Sequence, residues 1–380
     1  MYPLFKVHTP EGALGNIKEV LESGFINEGV QVTQLTQQLQ KILNSDKLIL
    51  TNSCTSALTL ALKLADVTCH SRVLTTPMTC VATNTPIINL CSHITWADID
   101  PISGMISVDD VDKKLSEFMH SIKAIMAVAW AGTPPDLEGL RDVANKHGVP
   151  LILDAAHAFG ATYKGRPIHE FADYTCYSFQ AIKHFTTGDG GALICSNADK
   201  HVRSKSLKWF GLDRDKAKDD NGNWKGQQWD VDISEAGFKF NMNNISAAVG
   251  LAQIDHIDMI LKAHRKNAEL YDEYFKTHTM VKHSSRPDDC ESSFWVYTML
   301  VQDNSKLSRD QLLKALNAEG IMAGVVHIPN DDYTAFDEYK TDLPGVRDFS
   351  SRQFSLPCGW WLKQSDIKHI ADRVKELTNE

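Results

Sequence analysis

The first 200 residues alternate short β-branched and apolar runs with stretches whose apolar positions recur at helical spacing. Asn16 to Leu43 reads as helical segments interrupted near Gly24–Gly29, and a short strand follows over Lys47 to Thr51. Ser56 to Ala65 (SALTLALKLA) carries leucine at helical spacing, then Arg72–Thr76 reads as a second strand and Val81–Asn89 as a second helix. Strand-like runs at Ile94–Ala97, Ala124–Trp130, Pro150–Leu153 and Thr175–Phe179 continue the series, with Asp136–His147 a helix between two of them. The alternation predicts an α/β fold whose mostly parallel sheet is covered by helices on both faces. In such sheets ligands collect at the carboxyl ends of strands, so the residues just after each strand carry the most information.

That rhythm stops after about residue 205. Arg214 to Glu235 is charged and rich in Asp, Asn and Gly without an apolar period, which marks a long exposed loop. Helical spacing returns over Met242 to Phe275 and links the sheet to a smaller α+β region with a strand at Phe294–Val301 and helices at Arg309–Glu319 and Gln364–Leu377. A chain of 380 residues accommodates two such units, a large domain over 1–254 and a small one over 255–380.

Charge and cysteine usage narrow the function classes. With 39 Lys+Arg against 48 Asp+Glu the formal charge is -9, which gives no general electrostatic reason to bind nucleic acid. No apolar run approaches the ~18–20 residues that span a bilayer, and the N-terminus lacks the blocks of a signal peptide, so a soluble cytoplasmic protein is expected. The eight cysteines form no CxxC pair, which speaks against a zinc knuckle and a disulfide framework, and no metal is expected.

Three segments carry candidate chemistry. Leu151–Asp154 followed by Ala155–His157 (LILDAAHA) closes a buried strand with an aspartate, where burial costs several kcal/mol unless a cation or donor pairs with it. Tyr177–Gly191 (YSFQAIKHFTTGDGG) sets Ser178 and Lys183 behind another strand, and apolar neighbours lower a lysine's pKa and make its amine a nucleophile. Asn52–Ala57 (NSCTSA) joins a strand to a helix with small residues, so backbone N–H groups can approach an anion there. Taken singly, each also fits a plain role: an aspartate capping a helix, a surface lysine, an ordinary N-cap. Together they supply what pyridoxal 5′-phosphate needs, namely a phosphate site, a carboxylate for the pyridine nitrogen and a lysine for the carbonyl.

On the stretches LILDAAHAFGATYKGRPI and YSFQAIKHFTTGDGGAL, the chain resembles the DegT/DnrJ/EryC1/StrS sugar aminotransferases, which are fold-type-I pyridoxal phosphate enzymes. The resemblance runs from GFINEG at Gly24 into the C-terminal region and implies a large cofactor domain with a small C-terminal α+β domain. It further implies that Lys183 forms the Schiff base and moves protons, while Asp154 pairs with the pyridinium nitrogen. Ser178 and the Thr55–Ser56 backbone would hold the phosphate and His157 would lie near the ring. Asn241, in the GFKFNMN segment, would reach the neighbouring subunit's phosphate site, which implies a homodimer with shared active sites.

The chain also departs from the family. Cys80, in TTPMTCVATN, stands where many relatives stack an aromatic ring on the cofactor, and AVAWAGTPPDL has Ala129 and Trp130 where relatives often carry a histidine. His327 in VVHIPNDDYTAF is a candidate substrate contact, and Arg214 is a candidate diphosphate ligand or else a solvated loop charge. The implied reaction moves an amino group, from glutamate, to a nucleotide-linked keto-deoxy sugar of the 4-keto-6-deoxy or 3-keto-6-deoxy kind, as in lipopolysaccharide and related sugar biosynthesis. A related class dehydrates keto sugars with histidine in place of the lysine, and the Ser-to-Lys spacing of SFQAIK favours transamination over it. A non-catalytic cofactor-binding regulator is a further alternative, although the chain shows no spare DNA-binding segment, and a nucleotide-binding oxidoreductase is another, although no GxGxxG turn follows the first strand.

Overall fold

A computed structural model describes residues 1–213, Lys225 and 231–379 of the chain. Among these, seven strands form the main sheet: β1 (Leu48–Thr51), β2 (Arg72–Thr75), β3 (His93–Trp96), β4 (Ile122–Val128), β5 (Leu151–Asp154), β6 (Tyr174–Ser178) and β7 (Gly191–Cys195). Their spatial order is β1-β7-β6-β5-β4-β2-β3. Pairings among β2, β3, β4, β5 and β6 are parallel, whereas β7 runs antiparallel to both β1 and β6. The expected α/β fold with a mostly parallel sheet is therefore the one observed.

Burial on both faces explains the near-continuous apolar strands. Leu48, Leu50, Ile125, Ala127, Leu151 and Leu153 enter one core cluster, while Ile49, Ala124, Met126 and Ile152 enter another. The alternation follows from the two-residue period of a strand, with each face roofed by its own helices. The parallel strands end on one side of the sheet, so Asn52–Cys54, Thr76–Cys80, Asp154–His157 and Phe179–Lys183 all follow strand ends there.

Strands Val281–His283, Tyr297–Val301 and Gln353–Leu356 make a separate antiparallel sheet. Its core takes Leu312 and Leu316 from the helix Arg309–Ala318, and Ile367, Ile370 and Val374 from Gln364–Thr378. The long helix Ile257–Phe275 serves both regions, with Ile257 and Leu261 in a large-sheet core and Ala268, Tyr271 and Phe275 in the C-terminal one.

A buried amide pair ties the C-terminal region to the strand-end side of the main sheet. Asn84 Nδ2 donates to Asn330 Oδ1 at 2.8 Å, and Asn330 Nδ2 donates to the Thr79 carbonyl at 2.7 Å. The Asn330 backbone N–H adds a bond to the Pro77 carbonyl at 2.8 Å. Since removing one partner strands buried donors and acceptors, Asn330→Ala is expected to cost about 1–3 kcal/mol in urea unfolding. Unchanged stability would show that this tie carries no load.

Candidate active site

A cavity of about 280 Å³ opens at the carboxyl ends of the parallel strands. Thr55, Cys80, Asp154, His157, Ser178, Lys183 and His327, seven of the residues expected from sequence, line it together. A wider groove at Lys41, Lys47 and Arg166 is edged by half-solvated ion pairs, Lys47–Asp46 and Arg166–Glu170, and offers no comparable acid and amine behind strand ends.

Asp154 terminates β5 and is 4% exposed. Thr83 Oγ1 donates to its Oδ2 at 2.7 Å and the Ala156 N–H to its Oδ1 at 3.0 Å. Burial raises the carboxyl's pKa above the ordinary value, with the Thr83 and Ala156 bonds and the Lys183 charge pulling the other way. The result is a buried acid whose ionised form lacks a full counter-charge at close range, which is a standing invitation to a cationic ligand group.

Lys183 follows β6 across the turn Phe179–Ile182. Burial pushes its amine down to about 8, and the negative charge of Asp154 holds it from falling further. Its Nζ lies 3.6 Å from the centre of the Trp295 ring. A lysine with that pKa is substantially neutral only slightly above physiological pH, so its nitrogen can attack a carbonyl where an ordinary lysine is protonated. His184, the next residue, turns the other way: its Nε2 donates to the Ser293 carbonyl at 2.9 Å and its ring meets His264 at 4.6 Å.

The expected anion cradle lies where β1 hands over to the helix Cys54–Leu64. Ser53 is its N-cap, and the Ser53 hydroxyl accepts the Ser56 N–H at 3.1 Å. Ser56 Oγ in turn donates to Asn52 Oδ1 at 2.6 Å, so Ser56 spends its polar atoms on the helix start and is not among the cavity-lining residues. Thr55 and Ser178 do face the cavity. Gly191 of β7 passes directly beneath: a Cβ there would lie 2.6 Å from the Cys54 nitrogen and 2.6 Å from the Ser53 carbonyl carbon. Because backbone cannot give way as a side chain can, Gly191→Ala is expected to displace the helix start, destabilising the fold by about 1–3 kcal/mol and weakening binding of a phosphate group. Wild-type affinity for pyridoxal phosphate in that variant, measured by absorbance titration, would contradict this.

Two histidines close the cavity. The His157 ring stacks on Trp295 at 3.9 Å and lies 5.4 Å from His327, nearly parallel to both. Burial and the neighbouring Lys183 hold both imidazoles well below the usual histidine range, His327 at about 3, so both are neutral. His157 Nδ1 and His327 Nε2 are buried without a protein partner, which leaves each able to bond a ligand. Half-buried Cys80 lines the wall near Thr79 and Ala82, and burial raises its thiol pKa.

Asn241 lies outside this cavity. It is buried beside β1, bridged to Thr51, and its Nδ2 donates to the Met242 carbonyl at 3.2 Å and to Asn27 Oδ1 at 3.3 Å. Arg214 lies outside the described residues. Sequence reasoning passed over Thr83, Asp189, Gln180 and Trp295, all of which line the cavity. Trp295 carried no motif signal, and Thr83 lies in a helix whose sequence mixes Thr and Asn with apolar residues, so nothing local set it apart.

The residues fit pyridoxal phosphate: a helix start cleared by Gly191 for the phosphate, a buried acid for a protonated ring nitrogen, and a lowered-pKa amine for the carbonyl. The comparisons agree with that chemistry. The model of the DegT/DnrJ/EryC1/StrS aminotransferase family matches residues 9–375. The sugar aminotransferase CalS13 from Micromonospora echinospora is 32% identical, with 99% of this chain and 100% of that one covered at a TM-score of 0.91. A putative sugar aminotransferase from Streptococcus pneumoniae, Spr1654 in its PMP-form, is 25% identical with 99% of each chain covered and a TM-score of 0.90. UDP-4-amino-4,6-dideoxy-N-acetyl-beta-L-altrosamine transaminase from Campylobacter jejuni is 26% identical, covering 95% of this chain and 93% of that protein. With strand-end acid, cavity lysine and near-full-length similarity in agreement, the chain belongs to the DegT/DnrJ/EryC1/StrS aminotransferase family.

Proposed function

We propose that the cavity binds pyridoxal 5′-phosphate and that the protein transfers an amino group, from glutamate, to a nucleotide-linked keto-deoxy sugar, a 4-keto-6-deoxy hexose in surface-polysaccharide or related sugar biosynthesis. The observation that carries this reading is the buried Asp154 and the half-buried Lys183 on one cavity behind adjacent parallel strands. When bound, the cofactor supplies a carbonyl for amines and an electron-withdrawing ring that makes the neighbouring C–H acidic. Asp154 holds a proton on the ring nitrogen, and Thr83 and the Ala156 N–H orient its carboxylate. Lys183 Nζ accepts and returns the proton that moves during amino transfer. Thr55 and Ser178 hold the phosphate, and the open nitrogens of His157 and His327 offer hydrogen bonds to the ring and to a sugar hydroxyl.

Support for a nucleotide-linked acceptor comes from the Campylobacter relative, whose name specifies a UDP-linked amino sugar. Transamination is favoured over dehydration because Lys183 occupies the cavity while His184 faces Ser293 and His264. Among the described residues no helix is long and apolar enough to cross a membrane, and the cysteines are free, as suits a reducing cytoplasm. Incubation with pyridoxal phosphate followed by borohydride should give a mass adduct on the Lys183 peptide. A colourless wild type without adduct would sink the cofactor reading.

The reading includes a homodimer with shared sites. Leu14, at 77% exposure, Leu21, Phe25, at 79%, Ile26 and Val30 leave an apolar strip on the N-terminal segment, next to the Asn27 that contacts Asn241. Such a strip is normally covered by another chain. Asn241→Ala and Lys183→Ala chains, each inactive alone, should on mixing recover roughly a quarter of wild-type activity, the statistical yield of heterodimers with one intact site. No recovery after subunit exchange would place Asn241 in its own chain's site, and an Asn241→Ala chain active alone would place it in none.

A further inference from the structure

We propose that Trp295 is a positioning residue for Lys183, its indole face being the seat on which the free amine rests. The inference rests on Lys183 being the cofactor lysine. Lys183 Nζ stands 3.6 Å from the ring centre, and Trp295 Nε1 donates to the Ile182 carbonyl at 2.9 Å, so the ring is fastened to the backbone that carries the lysine. Trp295 is 3% exposed, and Phe5 and His157 stack on it at 4.7 Å and 3.9 Å.

The segment that delivers this ring is held in an uncommon shape. Phe294 takes φ 50, and facing it Ala131 and Gly132 take φ 54 and 102. Left-handed backbone at two non-glycine residues persists only where the surroundings fix it. Here the Trp295 N–H donates to the Ala131 carbonyl at 2.9 Å and the Ser293 N–H to the Gly132 carbonyl at 3.0 Å. His264 Nδ1 and Cys358 Sγ donate to the Phe294 carbonyl at 2.8 Å and 3.1 Å, and His184 Nε2 to the Ser293 carbonyl at 2.9 Å. Side chains from both regions of the molecule thus converge on the placement of one indole.

The quadrupole of an indole face attracts an ammonium most strongly where water is excluded. The other titratable groups around Lys183 are Asp154, Cys54, Cys80, His157, His184 and His327. The thiols and imidazoles among them are neutral, so Asp154 and the indole are what favour the charged amine against burial. An amine released from a carbonyl is caught on the ring beside the cavity and does not swing away from it.

The test reads the lysine itself. In the full-length chain freed of cofactor, the pH dependence of Lys183 acetylation by acetic anhydride, followed by peptide mass spectrometry, should have its midpoint at about 8. Trp295→Leu keeps the site apolar but removes the π-face, and should lower that midpoint by about one pH unit, whereas Trp295→Phe should stay within about half a unit. An unchanged or raised midpoint in Trp295→Leu overturns the proposal. Should that variant fail to fold, 5-fluorotryptophan in the wild type provides the second measurement: the Trp295 resonance should titrate with the lysine and stop titrating in Lys183→Met, and a resonance indifferent to pH overturns the proposal equally. Absence of a cofactor adduct at Lys183 in the wild type would instead refute the cofactor reading.

Discussion

Lys183→Ala is expected to remove both the visible band of bound pyridoxal phosphate and amino transfer, with turnover falling by about 10⁴-fold or more. Two roles are lost at once: the covalent anchor for the carbonyl and the base that moves the proton. No neighbour replaces them, because His157 and His327 are held neutral with pKa values far below the working range, and His184 faces away from the cavity. The fold should tolerate the change, since Lys183 is half-buried and the desolvation of its amine disfavours the charged form. A matching circular dichroism spectrum alongside lost turnover separates chemistry from unfolding. Retention of even a hundredth of wild-type turnover would mean that another group is the base.

Asp154→Asn should act in opposite directions on catalysis and on stability. Turnover is expected to drop by about 10³-fold, because the amide cannot hold a proton on the ring nitrogen and the Lys183 amine loses the negative charge that supports it. Stability follows from the sign of the shift. Burial raises the Asp154 pKa in the folded chain, so its stabilising contribution is complete below the ordinary carboxylate value and is lost as pH rises through the raised one. At neutral pH the cofactor-free wild type therefore carries a penalty that the Asn variant lacks. The variant should melt a few degrees higher without cofactor, converge with the wild type in acid, and gain less than the wild type when pyridoxal phosphate is added. A lower melting temperature for the cofactor-free variant at neutral pH would show that Asp154 is already satisfied without a cation.

Much of the main sheet was legible because its strands are buried on both faces and bounded by turn residues. The two helices flanking Gly24–Gly29 and the helix Val81–Asn89 also stand where the apolar spacing puts them. What escaped has physical causes. Strand β7 begins at Gly191 in what reads as a glycine-rich turn, because the glycine is needed to pass beneath the helix start at Ser53–Cys54. The helix Ala198–Leu207 buries only Ser204 and Leu207, so charge masks its period, whereas Val108–Glu117 does carry Val108, Val111 and Leu115 at helical spacing, a signal that the sequence reading missed. Strand β4 stops at Val128 before the left-handed turn at Ala131, and the strand expected from Phe294 starts only at Tyr297 because Phe294 is itself left-handed.

The site divides in the same way. Asp154, Ser178 and Lys183, which line the cavity, stood out in the sequence because they end a strand or follow one within a few residues, where the fold class places ligands, whereas His157 was named only from the family resemblance. Thr83, Trp295 and Asn330 come from distant segments and act through tertiary contacts that no local pattern encodes. At Ser56, named from the same segment, the N–H bonds to Ser53 Oγ and the hydroxyl to Asn52 Oδ1 at the start of its own helix.

The most direct measurement of the central claim is amino transfer itself. Purified protein loaded with pyridoxal phosphate is incubated with glutamate carrying a labelled amino nitrogen and a panel of GDP-, dTDP- and UDP-linked keto-deoxy sugars, and the products are weighed. The label should appear as an amine on one nucleotide sugar, with 2-oxoglutarate formed in equal amount and the reaction absent in Lys183→Ala. A sugar that loses water without gaining nitrogen, or a panel left wholly unaminated by a protein that does hold the cofactor on Lys183, would contradict the account.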